Sequence, residues 1–135
     1  PSTTMGPLIS IAAAESVDAK VQQALARGAI CHWGGSRTPD LGSHQHSFYE
    51  PTVLSHVPLD ADLWKTEIFG PVIAIHSFDT EEEALAMAND SLAGLAAYFC
   101  TQDLGRTLRV AKKYVSNHCN LCVFSLVDTL LMSRM

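Results

Sequence analysis

Positive charge is scarce in this chain. Nine Lys and Arg stand against 14 Asp and Glu in 135 residues, a formal charge of -5, and the basic residues are scattered. No stripe of Lys and Arg is available to neutralise a phosphate backbone, so nucleic acid is not an expected partner. Long apolar runs are missing as well. None approaches the roughly 18–20 residues that cross a bilayer, and the opening PSTTMGPLIS has neither a basic start nor an apolar signal core. The expectation is an intracellular chain with no membrane span.

Cysteines are few, and Cys31, Cys100, Cys119 and Cys122 are not spaced as a disulfide framework. Most are expected to be buried thiols. His118 and the pair Cys119 and Cys122 resemble part of a zinc or redox site. A structural zinc centre needs about four ligands, however, and no second Cys or His pair stands at the usual spacing. A redox pair is expected to open a helix after a strand, whereas this one precedes the β-prone Val123 and Phe124. His32, His56 and His76 likewise lack metal-like spacing, His44 and His46 stand two apart in a polar loop and are expected to be solvated, and no metal site is expected. Also absent are G-x-G-x-x-G, a Walker loop and a G-x-S-x-G elbow, the usual phosphate and nucleophile signatures.

What is present is enough apolar material for a core: 47% hydrophobic against 17% charged residues. Ser10 can cap a helix whose Ala14, Val17, Val21 and Leu25 recur three or four apart, with Gly28 as its left-handed stop. Residues 29–33 then read as extended, and GGSRTPDLGSHQHS as a polar loop. Phe48 to Leu54 reads as a short strand, placed at a sheet edge by Pro51. A further strand is expected from Val72 to Phe78. Thr80 followed by Glu83 marks the start of a helix over 81–90, with Glu81 and Glu82 favouring its positive end. Leu95 to Cys100 has the continuous apolar character of a buried parallel strand. A last helix is expected from Asp103 to about Tyr114. Its buried face would hold Leu104, Leu108, Ala111 and Tyr114 or Val115, and Arg106, Arg109, Lys112 and Lys113 would be solvated. Strands alternating with helices predict an α/β fold with a mostly parallel sheet and flanking helices.

The stretch KTEIFGPV at 65–72 places a carboxylate two residues before an aromatic ring and a Gly-Pro break directly after it. Taken alone, Glu67 reads as a surface acid and Phe69 as core. With its neighbours it resembles the Glu-x-Phe-Gly-Pro motif of the NAD(P)-dependent aldehyde dehydrogenase superfamily. MGPLIS at 5–10, ALARGA ending the first helix, GG at 34–35, FYEPTVL at 48–54, FDTEEEALAMAND at 78–90 and GLAAYFCTQDLGRTLRVAKK at 94–113 follow that family's order. The resemblance covers about residues 5–113. MGPLIS, SFYEPTVL and AAYFCTQD are most similar to the succinate-semialdehyde dehydrogenases.

The resemblance implies that residues 1–135 are a partial catalytic domain of an enzyme that oxidises an aldehyde with NAD or NADP, in the cytoplasm or a mitochondrion. Glu67 would accept hydrogen bonds from the nicotinamide-side ribose hydroxyls, each charge-assisted bond contributing about 1.5–3 kcal/mol before desolvation. Phe69, two residues on in an extended turn, would point the same way and pack beside the nicotinamide. By the family pattern the nucleophilic cysteine, the general-base glutamate, the oxyanion-hole asparagine and the Rossmann segment all lie upstream. Neither Cys31 nor Cys100 has the nucleophile's context, so no catalytic residue is assigned and the chain alone is expected to be inactive. After RVAKK the family pattern is lost, and residues 114–135 are expected to form a divergent tail from another exon boundary, a frameshift or a misread gene. That tail reads as an amphipathic helix or a loose, sticky end, and exposed strand edges imply self-association. Two further readings stand beside the first: a noncatalytic truncated paralogue that docks on full-length subunits, and a Cys119/Cys122 metal or thiol module.

Overall fold

The computed structural model describes residues 5–38, 47–90, 97–114 and 133–134. The chain divides into two compact units, residues 1–77 and 78–135.

The first unit is built on helix α1 (Ile11–Ala26). The Ser10 hydroxyl accepts the Ala13 amide at 3.1 Å, which satisfies one of the donors left unpaired in the first turn. At the other end Gly28 (φ 100°) lets its own amide reach Leu25 O and the Ala29 amide reach Ala24 O. This is a Schellman closure, and its left-handed corner favours glycine. Ala14, Val17, Val21 and Ala24 form the buried stripe; Leu25 packs only at its margin.

That stripe covers one face of a three-stranded sheet ordered β1 (Ile30–Trp33), β2 (Thr52–Ser55), β3 (Val72–Ile75). Leu54 and Val72 project inward with Val57, Ala61 and Leu63. The short helix α2 (Asp62–Lys65) lies in the crossover from β2 to β3. It is held to α1 by Gln23, whose amide donates to Asp62 Oδ2 and accepts the Asp62 amide. Beside it Arg27 pairs with Asp60 at 2.6 Å, and this hydrogen bond holds the Asp60 carboxyl below its usual range.

Three expectations change here. The fold is α/β with flanking helices, but its sheet is mixed: β2 and β3 run parallel, whereas β1 and β2 run antiparallel. The strand after Pro51 lies in the centre of the sheet, not at its edge. Pro51 stands one residue before the ladder begins at Thr52, so its missing amide proton is never required. Cys31 is exposed rather than buried, because all four residues of the edge strand β1 are exposed; Cys100 is half-buried.

In the second unit, α3 (Glu81–Asn89) starts as expected, with Thr80 Oγ1 accepting the Glu83 amide at 3.1 Å. Glu83 reaches back to the Asp79 amide at 2.8 Å, one residue short of a standard capping box. Strand β4 (Ala97–Tyr98) pairs antiparallel with β5 (Ser133–Arg134) rather than parallel, and the start of the predicted strand, 95–96, lies outside the described residues. The last helix, α4 (Leu104–Lys113), is capped by Asp103 and turns a different face inward. Thr107, Val110 and Tyr114 are buried, whereas Leu104 is 72% and Leu108 56% exposed. Packing accounts for this rotation, since Val110 and Tyr114 join Leu85, Ala88 and Phe99 in one buried apolar cluster. Arg109 donates to Glu81 through Nε and Nη2 at 3.2 and 3.0 Å and Arg106 adds a contact at 3.5 Å, while Arg109, Lys112 and Lys113 stay exposed as expected. Val115 and the Cys119/Cys122 pair lie outside the described residues.

The Arg109 hydrogen bonds hold the Glu81 carboxyl below its usual range. The unfolded chain therefore binds this proton more readily than the folded one, so the interaction's stabilisation is present above the ordinary glutamate range and is lost as pH falls through it. Hydrogen-exchange protection of α3 and α4 is expected to fall on acidification from pH 6 to pH 3, with part of that fall absent in Glu81→Gln.

Candidate functional site

The segment from Thr66 to Pro71 joins α2 to β3 and is pinned at both ends. Thr66 closes α2 through its amide and its hydroxyl, both donating to Asp62 O at 2.9 and 2.8 Å. At the far end Pro71 O accepts the Thr52 amide at 2.8 Å, which begins the parallel ladder, and the Val72 amide turns back to Gly70 O at 2.8 Å. Between these ends the segment rests on α1. Lys20 Nζ donates to the backbone carbonyl of Glu67 at 2.8 Å. A Cβ on Gly70 would meet Val17 Cγ2 at 2.6 Å, so only glycine permits so close an approach.

This seat leaves both predicted contact residues on the outside. Glu67 is exposed, and among the described residues its carboxylate makes no hydrogen bond or ion pair; α1 holds its backbone alone. Phe69 is 76% exposed and its backbone lies at φ 50°, a region costly for a bulky residue. The segment is therefore not an extended strand at Phe69, and simple alternation does not set the direction of its ring relative to Glu67. The arrangement has a chemical use. Both carboxylate oxygens remain open to accept hydroxyl protons, a flat apolar ring is held out in a fixed turn, and neither group's backbone can drift without disturbing α1.

The remaining motif residues have structural roles. Gly34 (φ 67°) and Gly35 (φ 97°) turn the chain out of β1, and a Cβ on Gly34 would lie 2.3 Å from Pro51 O. The Gly35 amide donates to Thr52 Oγ1 at 2.9 Å, and Gln22 Nε2 donates to Gly35 O at 2.9 Å. Tyr49 is buried against α1 and donates to Asp18 Oδ1 at 3.2 Å; burial and the Asp18 carboxylate raise its hydroxyl far above the ordinary tyrosine range. Cys31 Sγ lies 3.3 Å from Trp33 O and 3.4 Å from Gly34 O, in the same corner. An open concavity lined by Cys31 to Gly34, Glu50 and Pro51 includes neither Glu67 nor Phe69. Sequence reasoning missed Lys20: it is 47 residues from Glu67 and carries no motif signal.

Two substitutions separate packing from display. Gly70→Ala forces a methyl into Val17 and is expected to destabilise the chain by about 1–3 kcal/mol in urea unfolding. Phe69→Gly removes an exposed ring from a strained backbone and is expected to leave stability unchanged or raise it by about 1 kcal/mol.

Comparisons with known proteins bear on the family. Residues 1–124 match the aldehyde dehydrogenase family. The mitochondrial succinate-semialdehyde dehydrogenase of Oryza sativa subsp. japonica is 46% identical over 111 residues, covering 82% of this chain and 20% of that protein. The crystal structure of succinate-semialdehyde dehydrogenase from Burkholderia pseudomallei superposes with a TM-score of 0.79 at 38% identity, over 93% of this chain and 25% of that one. Aldehyde dehydrogenase 21 from Physcomitrella patens, solved with the reaction product succinate, gives a TM-score of 0.79 at 32% identity, over 88% of this chain and 23% of that one. The chain spans about a fifth of the length of the curated relative from rice. With the ordered motifs, the α/β architecture and these similarities together, the chain belongs to the aldehyde dehydrogenase family and forms part of its catalytic-domain fold.

Proposed function

We propose that this chain is a segment of an NAD(P)-dependent aldehyde dehydrogenase acting on succinate semialdehyde, and that its contribution is the nicotinamide end of the cofactor site. The observation that carries this reading is the Thr66–Pro71 turn, whose backbone is fixed to α1 while the Glu67 carboxylate and Phe69 ring stay free. Glu67 accepts the ribose hydroxyls, and Phe69 limits the swing of the nicotinamide, so that the face receiving hydride is held toward the substrate. The dinucleotide, when bound, supplies the hydride acceptor; the chain's own residues orient it. The substrate follows from similarity to enzymes named for succinate semialdehyde, and a mitochondrial or cytoplasmic location follows from the same relatives. The chain alone is inactive in this reading, since no cysteine in it has the context of the family's nucleophile.

Joining the upstream portion of the rice relative to this chain tests the assignment. The chimaera is expected to oxidise succinate semialdehyde, with Glu67→Gln lowering kcat/KM for the dinucleotide about tenfold or more, the loss expected of one charge-assisted hydrogen bond. Unchanged kinetics in that variant would remove Glu67 from the site, and turnover by the 135-residue chain itself would overturn its proposed inactivity.

A second reading, a noncatalytic paralogue that docks on full-length subunits, is favoured by the outer face of the sheet. Trp33, Val53 and Ile73 form one cross-strand row there, flanked by Ile30 and Ile75; Trp33 is 72% and Ile73 61% exposed. Apolar side chains grouped in this way mark a surface that gains from being covered. The chain is expected to self-associate with rising concentration in sedimentation velocity, and Ile73→Ser with Ile75→Ser to reduce that association. Co-sedimentation with a full-length family member, lost in the same double variant, distinguishes docking on a longer subunit from self-association.

A further inference from the structure

Two histidines far apart in the sequence converge on a single hydroxyl. His32 Nε2 lies 2.7 Å from Ser55 Oγ, and His56 Nδ1 lies 2.9 Å from the same oxygen. Since 2.7 and 2.9 Å add to 5.6 Å, the two nitrogens are no farther apart than that. Each histidine is aimed by an irregularity in the backbone. The β1–β2 register shifts between Cys31 and Trp33, so that His32 is the extra residue of a bulge, with Cys31 opposite Leu54 and Trp33 opposite Val53. Bulges redirect a side chain in this way. His56, directly after β2, has φ 55°, one of two non-glycine residues with positive φ among those described. Histidine is among the non-glycine residues that enter the left-handed region most readily, and here that turn aims the ring back at Ser55. Both rings are exposed and therefore reachable from solvent.

We propose that His32 and His56 form a two-imidazole site for a borderline divalent metal ion such as Zn2+ or Ni2+. Neutral imidazole suits these ions. The Ser55 hydroxyl has one proton to give, so of the two rings at least the second donates an N–H to its oxygen, and which ring this is depends on the tautomer. For both nitrogens to ligate, the second ring moves its proton to its other nitrogen, and the hydroxyl turns aside or adds its oxygen to the ion. A metal–nitrogen distance of about 2.0–2.1 Å places two ligating nitrogens at most about 4.2 Å apart. The rings therefore need to close by no more than roughly 1.4 Å, within reach of side-chain rotation at exposed positions. Among the described residues no group of three or more His, Cys, Asp or Glu could hold a metal ion, so water completes the coordination and the site is open rather than a structural zinc centre. The spacing rules applied to the sequence look for ligands within a few residues of one another, and they pass over a pair joined only by strand pairing.

The test is calorimetric titration of the full 135-residue chain with Zn2+ and with Ni2+. His44 and His46, two residues apart, and Cys119 and Cys122 are competing pairs, so the parent for comparison carries His44→Gln, His46→Gln, Cys119→Ser and Cys122→Ser. That parent is expected to bind one ion, and either His32→Gln or His56→Gln added to it to weaken binding at least tenfold. Circular dichroism should not change, since both rings are exposed. Loss of binding in the parent, or equal affinity after either added substitution, overturns the proposal.

Discussion

The close seat of the Thr66–Pro71 turn on helix α1 is the constraint on which the first unit depends. Gly70 has no side chain because Val17 occupies the space one would need, and Lys20 reaches across to hold the Glu67 carbonyl. The same turn delivers Pro71 O to the Thr52 amide and so sets the parallel register of β2 and β3. One backbone approach therefore joins helix packing, sheet register and the display of Glu67 and Phe69. A ring held at positive φ and 76% exposed brings little burial in return for its strain. That imbalance is what a residue kept for contact with another molecule looks like.

The two faces of the three-stranded sheet have different physical states. The inner face is closed by α1, with Leu54, Val57, Val17 and Val21 fully buried or nearly so. The outer face carries Trp33, Ile73 and Ile75 to solvent, beside the histidine pair on Ser55. In its solved relatives the matching region is about a quarter of a longer chain, so a sheet with one finished face accords with a piece of a larger fold. In the second unit the buried cluster of Leu85, Ala88, Phe99, Val110 and Tyr114 takes up one face of α4, and Leu104 and Leu108 face outward.

Features governed by neighbours in the sequence were legible in it. The Ser10 and Thr80 caps, the Gly28 stop and the α1 stripe depend on residues three or four apart, and each formed as its local chemistry requires. The Glu-x-Phe-Gly-Pro turn was legible for a different reason: several motifs in one order identify a family even where no single motif does. The buried face of α4 was only partly legible: Tyr114 is buried as expected, but Leu104 and Leu108 have the right spacing for a core stripe and are exposed, because Leu85, Ala88 and Phe99 pack against Val110 instead. Pro51 was misjudged for a related reason: its effect depends on whether it falls inside the ladder or one residue before it, which only strand pairing decides.

By itself, then, the amino-acid order determined where α1, α3 and α4 begin and end, though not the short α2, that the class is α/β, and to which family the chain belongs, because these follow from short-range hydrogen bonding, periodicity and motif succession. Tertiary structure alone decided that the sheet is mixed, that Cys31 is exposed, that Lys20 holds the Glu67 backbone and that His32 meets His56. Each of these depends on groups brought together from distant parts of the chain, and the free energy of such meetings comes from packing and pairing that no local window of sequence contains.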